Sequence, residues 1–310
     1  MALVQVKGLS RSFGAVKALD GLTFSVEEGE IFGLVGPDGA GKTTCLRILC
    51  GLIGPTSGTV TVLDRDVGRD PESIKREIGY MAQPAKLYDD LTVKENIEFY
   101  ADLYEVPKDL YTRRMERLLT FSGLAPFTRR LFRNLSGGMK QKVGLTCALI
   151  HTPRILFLDE PTNGVDPVSR RDFWKILYEL KRENVTIVVA STYLDEADRC
   201  HRVALFERGR VRTVMGPLAM RELLPGRLYR LTVSDRLKAM RVLQSQAAVL
   251  NPSIFGAGIH FSLLEKTQLE RVKETLSSAG LTIRSVEPVQ PTLEDVYLYL
   301  VKAPWDGGKP

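Results

Sequence analysis

The sequence of 310 residues has no apolar run long enough to cross a membrane. Its longest apolar stretches, residues 155–158 and 185–190, have the length of buried strands, whereas a membrane-spanning helix needs about 18 apolar residues. The first residues show no basic segment followed by an apolar core and a small-residue cleavage site, so no secretory signal is expected. We therefore expect a protein that works in the cytosol and does not cross a bilayer by itself.

The sequence also has few cysteines and histidines and a small net charge. The four cysteines form no CxxC pair and have no pair of histidines nearby, which disfavours a metal or redox role and favours buried free thiols. They are Cys45, Cys50, Cys147 and Cys200. With 43 basic and 37 acidic residues the net charge is only +6, a balance that does not require a nucleic acid as partner.

Nearly all of the positive excess lies in residues 108–133, which we call the basic stretch. Seven basic residues stand there against Asp109 and Glu116, a local net charge of +5. The seven are Lys108, Arg113, Arg114, Arg117, Arg129, Arg130 and Arg133. Two interpretations stay open: a solvated helical face, or a surface that faces anionic lipid headgroups or an acidic partner.

The rest of the composition, 44% hydrophobic and 26% charged, is that of an ordinary globular protein. Alternating apolar residues in the first thirty positions predict antiparallel strands. Apolar strands at 31–35, 155–158 and 185–190 are separated by helical patterns, which predicts a parallel α/β sheet. Residues 92–122 are predicted to be helical throughout, with Thr92 as the N-cap and Glu95 completing a capping box.

After Gly226 the pattern changes to that of a small α+β domain. Strands are predicted at 228–233, 260–264 and 282–286, with helices at 235–246 and 266–279. The last helix is predicted to be capped by Thr292 and Asp295. We expect a first domain over residues 1–220, with a helical subdomain at about 84–150, an accessory domain over 226–302, and a frayed tail at 303–310.

A phosphate-binding motif follows the strand at 31–35. Residues 36–43 match GxxxxGK[ST] between a strand and a helix, where glycines let backbone N–H groups and the helix N-terminus face phosphate oxygens. Lys42 is predicted to reach the β- and γ-phosphates, and the Thr43 hydroxyl to bind Mg²⁺. The predicted nucleotide-binding residues of this loop are Gly36, Pro37, Asp38, Gly39, Ala40, Gly41, Lys42, Thr43 and Thr44.

A second apolar strand ends in two carboxylates, Asp159 and Glu160. The carboxyl end of a parallel strand is where open α/β sheets bind their ligands. Asp159 is therefore predicted to hold the metal, directly or through water. Glu160 is predicted to orient or deprotonate the attacking water.

Together with these two motifs, four further segments resemble the ABC-type ATPases. They are residues 135–141, which read LSGGMKQ and resemble the signature motif, Gln83 of a Q-loop, Asp166 of a D-loop, and Phe13 of the loop whose aromatic ring stacks on adenine. The resemblance covers residues 1–220 and implies a P-loop ABC-type ATPase fold that uses ATP and Mg²⁺, with Gln83 contributing to metal binding and catalysis. It further implies a head-to-tail dimer, in which Ser136, Gly137 and Gly138 of one subunit close over the γ-phosphate held by the other.

The chain departs from that family at two positions. The family usually has a histidine that contacts the γ-phosphate after the strand at 185–190, and here Thr192 stands at that place. Threonine is shorter and cannot be cationic, so slow hydrolysis with normal ATP binding is expected. Asp38 replaces the frequent Asn or Ser and adds a carboxylate beside the phosphates.

Outside the ATPase motifs, two segments resemble ABC-2-type exporters: residues 91–104, with Phe99, Tyr100 and Tyr104, and residues 290–297. The three aromatic residues suit either a surface that receives the permease or internal packing. The leading interpretation is the ATP-binding subunit of an exporter for drugs, lipids or related amphiphiles. Its permease would be a separate membrane chain, and it would lie peripherally on the cytoplasmic face of the inner membrane.

Two alternatives remain. One is a soluble ABC ATPase that acts on ribosomes or DNA, although the chain has one cassette only and too few residues between Gln83 and Ser136 for a coiled-coil arm. The other is a hydrolysis-poor regulatory cassette paired with an active one, which Thr192 favours. No specific nucleic acid is expected, and the transported substrate is not encoded here.

Overall fold

The computed structural model describes residues 1–302, and the predicted frayed tail at 303–310 lies outside them. The chain divides into two compact units, the first spanning Met1–Val214 and the second beginning at Met215. The strands of the first unit are β1 Ala2–Phe13, β2 Val16–Glu27, β3 Ile31–Val35, β4 Ser57–Val62, β5 Arg65–Asp66, β6 Ile78–Met81, β7 Ile155–Asp159, β8 Thr186–Ser191, β9 Arg202–Glu207 and β10 Arg210–Met215. Its helices are α1 Lys42–Leu49, α2 Pro71–Glu77, α3 Val93–Leu103, α4 Lys108–Ser122, α5 Gly137–Leu149, α6 Pro167–Arg182 and α7 Leu194–Ala197.

A six-stranded sheet with the order β10-β9-β3-β8-β7-β6 forms the centre of the first unit. Strand β3 runs parallel to β8 and β9, and β7 runs parallel to β6 and β8, as the alternation of apolar strands and helices predicted. Every residue of β3, β7 and β8 is buried, which is why these strands are almost entirely apolar. Their carboxyl ends lie side by side, so the loops that follow them meet at one edge of the sheet.

The antiparallel strands predicted near the N-terminus form a second sheet with the order β2-β1-β4-β5. The buried residues of this sheet share one apolar core with β3 and α1. This core includes Leu19 and Val26 of β2 and Leu46 of α1. All four cysteines are free and buried, as predicted, and burial raises the pKa of each thiol. None of these thiols is therefore a reactive thiolate at neutral pH.

Helices α3, α4 and α5 pack around their own apolar cluster. The predicted capping box is confirmed, since the Glu95 N–H donates to Thr92 Oγ1 and the Thr92 N–H donates to Glu95 Oε2. The prediction of one continuous helix over 92–122 is wrong, because the residues between α3 and α4 are not helical. Pro107 precedes α4 and Glu105 has a φ of 52°, and a proline disfavours helical backbone in the residue before it.

The aromatic residues of this region differ in exposure. Tyr104 stacks on His151 with ring centroids 3.8 Å apart, and this contact is internal packing. Phe99 is 39% exposed and meets Tyr88 edge-on at 4.7 Å. Of the two interpretations, a permease-binding surface and internal packing, internal packing accounts for Tyr104. Part of the Phe99 ring remains exposed to solvent. Among residues 1–302, no helix combines the length and the apolar character that a membrane span requires.

The second unit is a four-stranded antiparallel sheet with the order β12-β13-β11-β14. Its elements are α8 Pro217–Arg221, β11 Arg227–Val233, α9 Arg236–Gln244, β12 Leu250–Phe255, β13 Gly258–Leu263, α10 Gln268–Ser278, β14 Ile283–Pro288 and α11 Leu293–Lys302. The unit begins a few residues earlier than the predicted accessory domain, because α8 packs against α11. The predicted cap of α11 is present, with the Asp295 N–H donating to Thr292 Oγ1. Asp295 also lies 2.9 Å from Nδ1 of the buried His260.

Candidate active site

The loop between β3 and α1 faces a cavity of about 520 Å³. The cavity is lined by Val16, Lys17, Ala18, Asp38, Gly39, Ala40, Gly41, Lys42, Thr43, Thr44, Gln83, Glu160, Arg208 and Gly209. Most of the predicted phosphate loop and both Gln83 and Glu160 are therefore brought together. This volume lies within the range of small-molecule sites.

Two glycines shape the loop for different reasons. Gly41 has a φ of 101°, and a Cβ there would come within 2.8 Å of the Ala18 carbonyl oxygen. Gly36 lies so close to the backbone of β9 that a Cβ would lie 2.3 Å from the Phe206 carbonyl oxygen. The loop can curl around an anion because neither position carries a side chain.

Lys42 is the buried cation of the site, with only 4% of its surface exposed. Its Nζ donates to the carbonyl oxygens of Gly36 and Pro37, both at 2.9 Å, and lies 3.6 Å from Glu160 Oε1. Burial lowers the pKa of Lys42, while the carboxylates of Glu160 and Asp38 oppose that shift. A phosphate entering the cavity would meet a positive charge that is already positioned and partly dehydrated.

Thr43 and Asp159 are joined across the site. The Thr43 hydroxyl donates to Asp159 Oδ1 at 2.9 Å, which connects the first turn of α1 to the end of β7. Burial raises the pKa of Asp159, and the hydrogen bond from Thr43 opposes this effect. A hydroxyl and a carboxylate in contact, with the amide of Gln83 on the same cavity, are oxygen donors of the type that Mg²⁺ prefers.

Glu160 stands just beyond β7 in a backbone conformation that is rare for residues with side chains, with φ at 46°. Its N–H donates to the Ala190 carbonyl oxygen on β8, which fixes the backbone there. Its Oε2 accepts from Asn163 Nδ2 at 3.0 Å. The carboxylate is thus held between Lys42 and Asn163, where it can accept a proton from a bound water.

A buried carboxylate behind the site, Glu196, was missed by the sequence reasoning. It is 1% exposed and accepts from Ser191 Oγ at 2.7 Å, from Trp174 Nε1 at 3.1 Å and from the Thr162 hydroxyl. These bonds join the segment after β7 to the segment after β8. An acidic residue in the short helix α7 carries no motif that would have indicated this role.

Two segments facing the cavity were also missed. Residues 16–18 approach from β2 and residues 208–209 from the turn between β9 and β10, bringing Lys17 and Arg208 to the anion site. Backbone hydrogen bonds fix that turn, since the Gly209 N–H donates to the Ala40 carbonyl oxygen. No local pattern could place these segments, because they are distant from the loop in sequence.

Nine predicted site residues do not line this cavity: Phe13, Gly36, Pro37, Ser136, Gly137, Gly138, Asp159, Asp166 and Thr192. Three of them, Gly36, Pro37 and Asp159, nevertheless accept hydrogen bonds from the lining residues Lys42 and Thr43. Phe13 is 47% exposed with the Arg11 guanidinium 4.6 Å from its ring centroid, and Thr192 is half-buried on the segment after β8. Asp166 caps α6 by accepting from the N–H groups of Val168 and Ser169, both at 3.0 Å. The hydrogen bonds from Ser169 hold the pKa of Asp166 below its ordinary value.

Ser136 caps α5, where its hydroxyl accepts from the Met139 N–H at 3.3 Å. Ser136 and Gly137 are exposed, whereas Gly138 is packed so tightly that a Cβ would lie 2.7 Å from Ser169. The signature segment therefore presents an open helix N-terminus, and among the described residues 1–302 it does not line the cavity of Lys42.

Comparison with known proteins shows to which family the chain belongs. Residues 19–163 match the family model described as ABC transporter. The daunorubicin/doxorubicin resistance ATP-binding protein DrrA of Streptomyces peucetius is 32% identical, over 98% of this chain and 93% of that protein. The chain belongs to the ABC transporter ATP-binding proteins.

Other members of this family differ in length. The probable multidrug ABC transporter ATP-binding protein YbhF of Escherichia coli is 37% identical over 97% of this chain, which spans only 52% of that protein. A solved ATP-binding subunit of an ABC transporter superposes with a TM-score of 0.65 at 30% identity, covering 71% of this chain and 92% of that one. A dimeric cassette bound to ADP and Pi superposes with a TM-score of 0.63 at 26% identity, covering 69% and 98%.

These likenesses confirm the predicted family and the predicted P-loop ABC-type ATPase fold. The relatives include multidrug and antibiotic resistance proteins and lend no support to a soluble machine acting on ribosomes or DNA.

Proposed function

We propose that this ATP-binding protein binds and hydrolyses ATP and so drives export of an amphiphilic substrate through a separate membrane permease. The observation that carries the proposal is the junction of α1 with the end of β7, where Thr43 bonds Asp159 and Lys42 faces Glu160. A cation, a hydroxyl and two carboxylates are thus brought together at the phosphate loop, and phosphoryl transfer to water uses groups of these kinds.

Each predicted side chain has a separate task in this proposal. Lys42 and the backbone N–H groups of residues 36–44 hold the phosphates. Thr43, Asp159 and Gln83 would hold Mg²⁺ together with phosphate oxygens, and the ion would neutralise charge on the transferring group. Glu160 accepts the proton of the attacking water, and Asn163 keeps its carboxylate in place.

The second half of the site comes from a second subunit. Ser136 and Gly137 form the exposed part of a helix N-terminus that also includes the buried Gly138, and such a terminus attracts anions. Within residues 1–302 these three residues do not share the cavity of Lys42. A head-to-tail dimer places this terminus over the γ-phosphate held by the other copy and creates two composite sites. Asp166 and Phe13 join the nucleotide in that closed state. The dimeric form of a solved relative supports this arrangement.

The export role rests on the relatives. Two daunorubicin resistance ATP-binding proteins and a bacitracin transport ATP-binding protein match this chain over 93–97% of their length and 96–98% of its own, which suits a subunit for amphiphilic drugs or lipids. The chain would lie on the cytoplasmic face of the inner membrane, bound to its permease. The exposed face of Phe99 in the helical region is available for that partner.

The decisive experiment measures Mg²⁺-dependent ATP hydrolysis by the purified chain and by the Glu160→Gln variant. Hydrolysis that requires Glu160 supports the proposal, and hydrolysis that persists in the variant at the same rate contradicts it. Copurification of the tagged chain with a membrane permease, but not with ribosomes or DNA, tests the export role.

A second candidate function is a hydrolysis-poor cassette that pairs with an active one. The observation that favours it is Thr192, because a hydroxyl cannot supply the cationic contact of the family's histidine. Co-expression with candidate partner cassettes distinguishes the two: a heterodimer whose activity depends on the partner's histidine supports the regulatory role.

A further inference from the structure

A second cavity, of about 340 Å³, lies in the first unit away from the phosphate loop. Residues 153–154 and 185, which line it, directly precede β7 and β8, whereas the phosphate site lies where these strands end. Helix α4 forms its other wall. No residue lines both cavities, so the second cavity has no part in the nucleotide chemistry described above.

The wall of this cavity combines apolar and charged side chains. Leu118 and Phe121 face it from α4, Leu180 from α6 and Val185 from the start of β8. Its volume is that of a small-molecule site rather than of a packing defect. An apolar chain entering it would remove these side chains from water.

Charged groups also line the cavity, and their balance is positive. Arg117 is paired with Glu183, and Arg154 lies 3.9 Å from Glu28. Arg114 donates only to the Ile150 carbonyl oxygen, at 3.4 Å, and no ion pair to it is found among residues 1–302. Three guanidinium groups therefore stand against two carboxylates, and Arg114 is the cation without a counterion.

The basic residues of this stretch make different contacts, and neither interpretation of the stretch is tested by them. Arg114 and Arg117 turn into the cavity, while Arg113, the next residue along α4, is exposed and does not line it. Arg133 is paired with Asp90 at 2.5 Å and Arg130 lies over the Phe127 ring at 5.1 Å. The residues of the basic stretch thus make separate contacts. Arg114, which has no ion pair among residues 1–302, faces the cavity together with the apolar side chains of Leu118 and Phe121.

We propose that this cavity binds an amphiphile with one anionic headgroup and an unbranched apolar tail. The headgroup pairs with Arg114, whose planar guanidinium suits a carboxylate, and the tail packs against the apolar residues of α4 and α6. Because the cavity lies between α4 and the starts of β7 and β8, its occupant connects the helical part of the unit to the parallel sheet. The proposal stands whether or not the chain exports such molecules.

Titration of the full-length protein with decanoate, below its micelle concentration, tests the proposal. Methyl resonances of leucine and valine report binding, and those of Leu118, Leu180 and Val185 are expected to shift saturably. Decanol has the tail without the charge, acetate the charge without the tail, and decyltrimethylammonium the opposite charge. Decanol and decyltrimethylammonium are expected to bind at least about tenfold more weakly, since a hydrogen-bonded charge contributes that much. Acetate is expected to bind more weakly by at least as much, because it buries no apolar tail.

Matched variants locate the site. Arg114→Gln is expected to weaken decanoate binding about tenfold, and Arg113→Gln on the same helix to leave it unchanged. Phe121→Gln is expected to weaken it through the tail contact. Binding of a labelled ATP analogue, unchanged in all three variants, shows that each one is folded and separates this site from the nucleotide site.

Several results overturn the proposal. It is wrong if decanoate causes no saturable shift, if decanol or decyltrimethylammonium binds as tightly as decanoate, or if Arg113→Gln and Arg114→Gln lose equal affinity. Loss of ATP hydrolysis bears on the proposed function alone, because decanoate binding is measured without nucleotide.

Discussion

Helices α1 and α5 both begin at glycine-rich segments that suit an anion, yet the chain treats them differently. Helix α1 begins after Gly41, which has no side chain to cap it, and its first residue Lys42 is buried. Helix α5 begins after Ser136, whose own hydroxyl caps it, and its first turn is exposed. The first residues of α1 contact carboxylates, Lys42 lying near Glu160 and Thr43 donating to Asp159.

The contrast teaches that contacts within the chain position the residues around one N-terminus and leave the other open, as the proposed composite site requires. The turn before α1 is closed by strands from both sheets of the first unit, and its cation is held by Gly36, Pro37 and Glu160. The turn before α5 packs against Ser169 on one side and is open on the other. The predictions below test this division, starting with the largest effect.

Removing the buried cation should have the largest effect. Lys42→Ala should abolish high-affinity ATP binding, because the triphosphate loses the one cation aimed at it from within the loop. Equilibrium binding of a labelled ATP analogue measures this. Ser136→Ala serves as the control and should leave binding by the monomer unchanged. Wild-type affinity in Lys42→Ala would remove this residue from the site.

Neutralising the base should separate chemistry from assembly. Glu160→Gln keeps the shape but cannot accept a proton, so hydrolysis should fall by roughly 10²–10⁴-fold. ATP binding should persist, and the unhydrolysed nucleotide should hold two copies together. Gel filtration with ATP and Mg²⁺, compared with the same run without nucleotide, reports the dimer. A variant that stays monomeric even with its permease present would contradict the composite site.

Mixing two defective chains should restore one site. Ser136→Ala should reduce hydrolysis by about 10–100-fold, the value of a hydrogen bond to a charged phosphate. In a mixed dimer, the intact Ser136 of a Lys42→Ala chain faces the intact Lys42 of a Ser136→Ala chain. Activity of the mixture should exceed that of either variant alone. If mixing restores nothing, α5 does not complete a neighbour's site.

The carboxylate behind the α1 site should matter for stability. Glu196→Gln replaces one acceptor oxygen by an amide group that cannot accept, facing Ser191 or Thr162, and should cost about 1–3 kcal/mol of unfolding free energy. Urea denaturation measures it. The neighbouring Asp195 is exposed, and its ion pair with Arg170 is long, at 3.7 Å, so Asp195→Asn should cost less than about 1 kcal/mol. Equal losses of unfolding free energy in the two variants would show that the hydrogen bonds of Glu196 do not stabilise the fold.

The smallest effect is expected at Thr192. If its threonine replaces the family's histidine, Thr192→His should raise steady-state ATP hydrolysis, by much less than the roughly 100-fold that one oxyanion donor contributes. If the pocket has repacked around threonine, the rate should not change. Thr192→Ala is the matched control. Wild-type and alanine rates as high as those of histidine-bearing cassettes would show that this position is unimportant.

Local patterns were sufficient where one segment carries all of its own determinants. The phosphate loop, the capping box at Thr92 and the cap of α11 at Thr292 were predicted because each needs residues at short fixed spacings. The continuous helix over 92–122 failed for the opposite reason: apolar periodicity runs across Pro107, and only the local backbone at Glu105 and Pro107 ends one helix and starts another.

Sequence by itself determined the family, the parallel sheet and the identity of Lys42, Asp159 and Glu160, since phosphate chemistry requires those residue types after those strands. Tertiary structure alone decided that Glu196 joins the segments after β7 and β8, that Lys17 and Arg208 face the phosphate loop, and that Arg114 turns into a separate cavity. The physical reason is distance along the chain. Such contacts form between elements far apart in sequence, and no periodicity within one element encodes its partner.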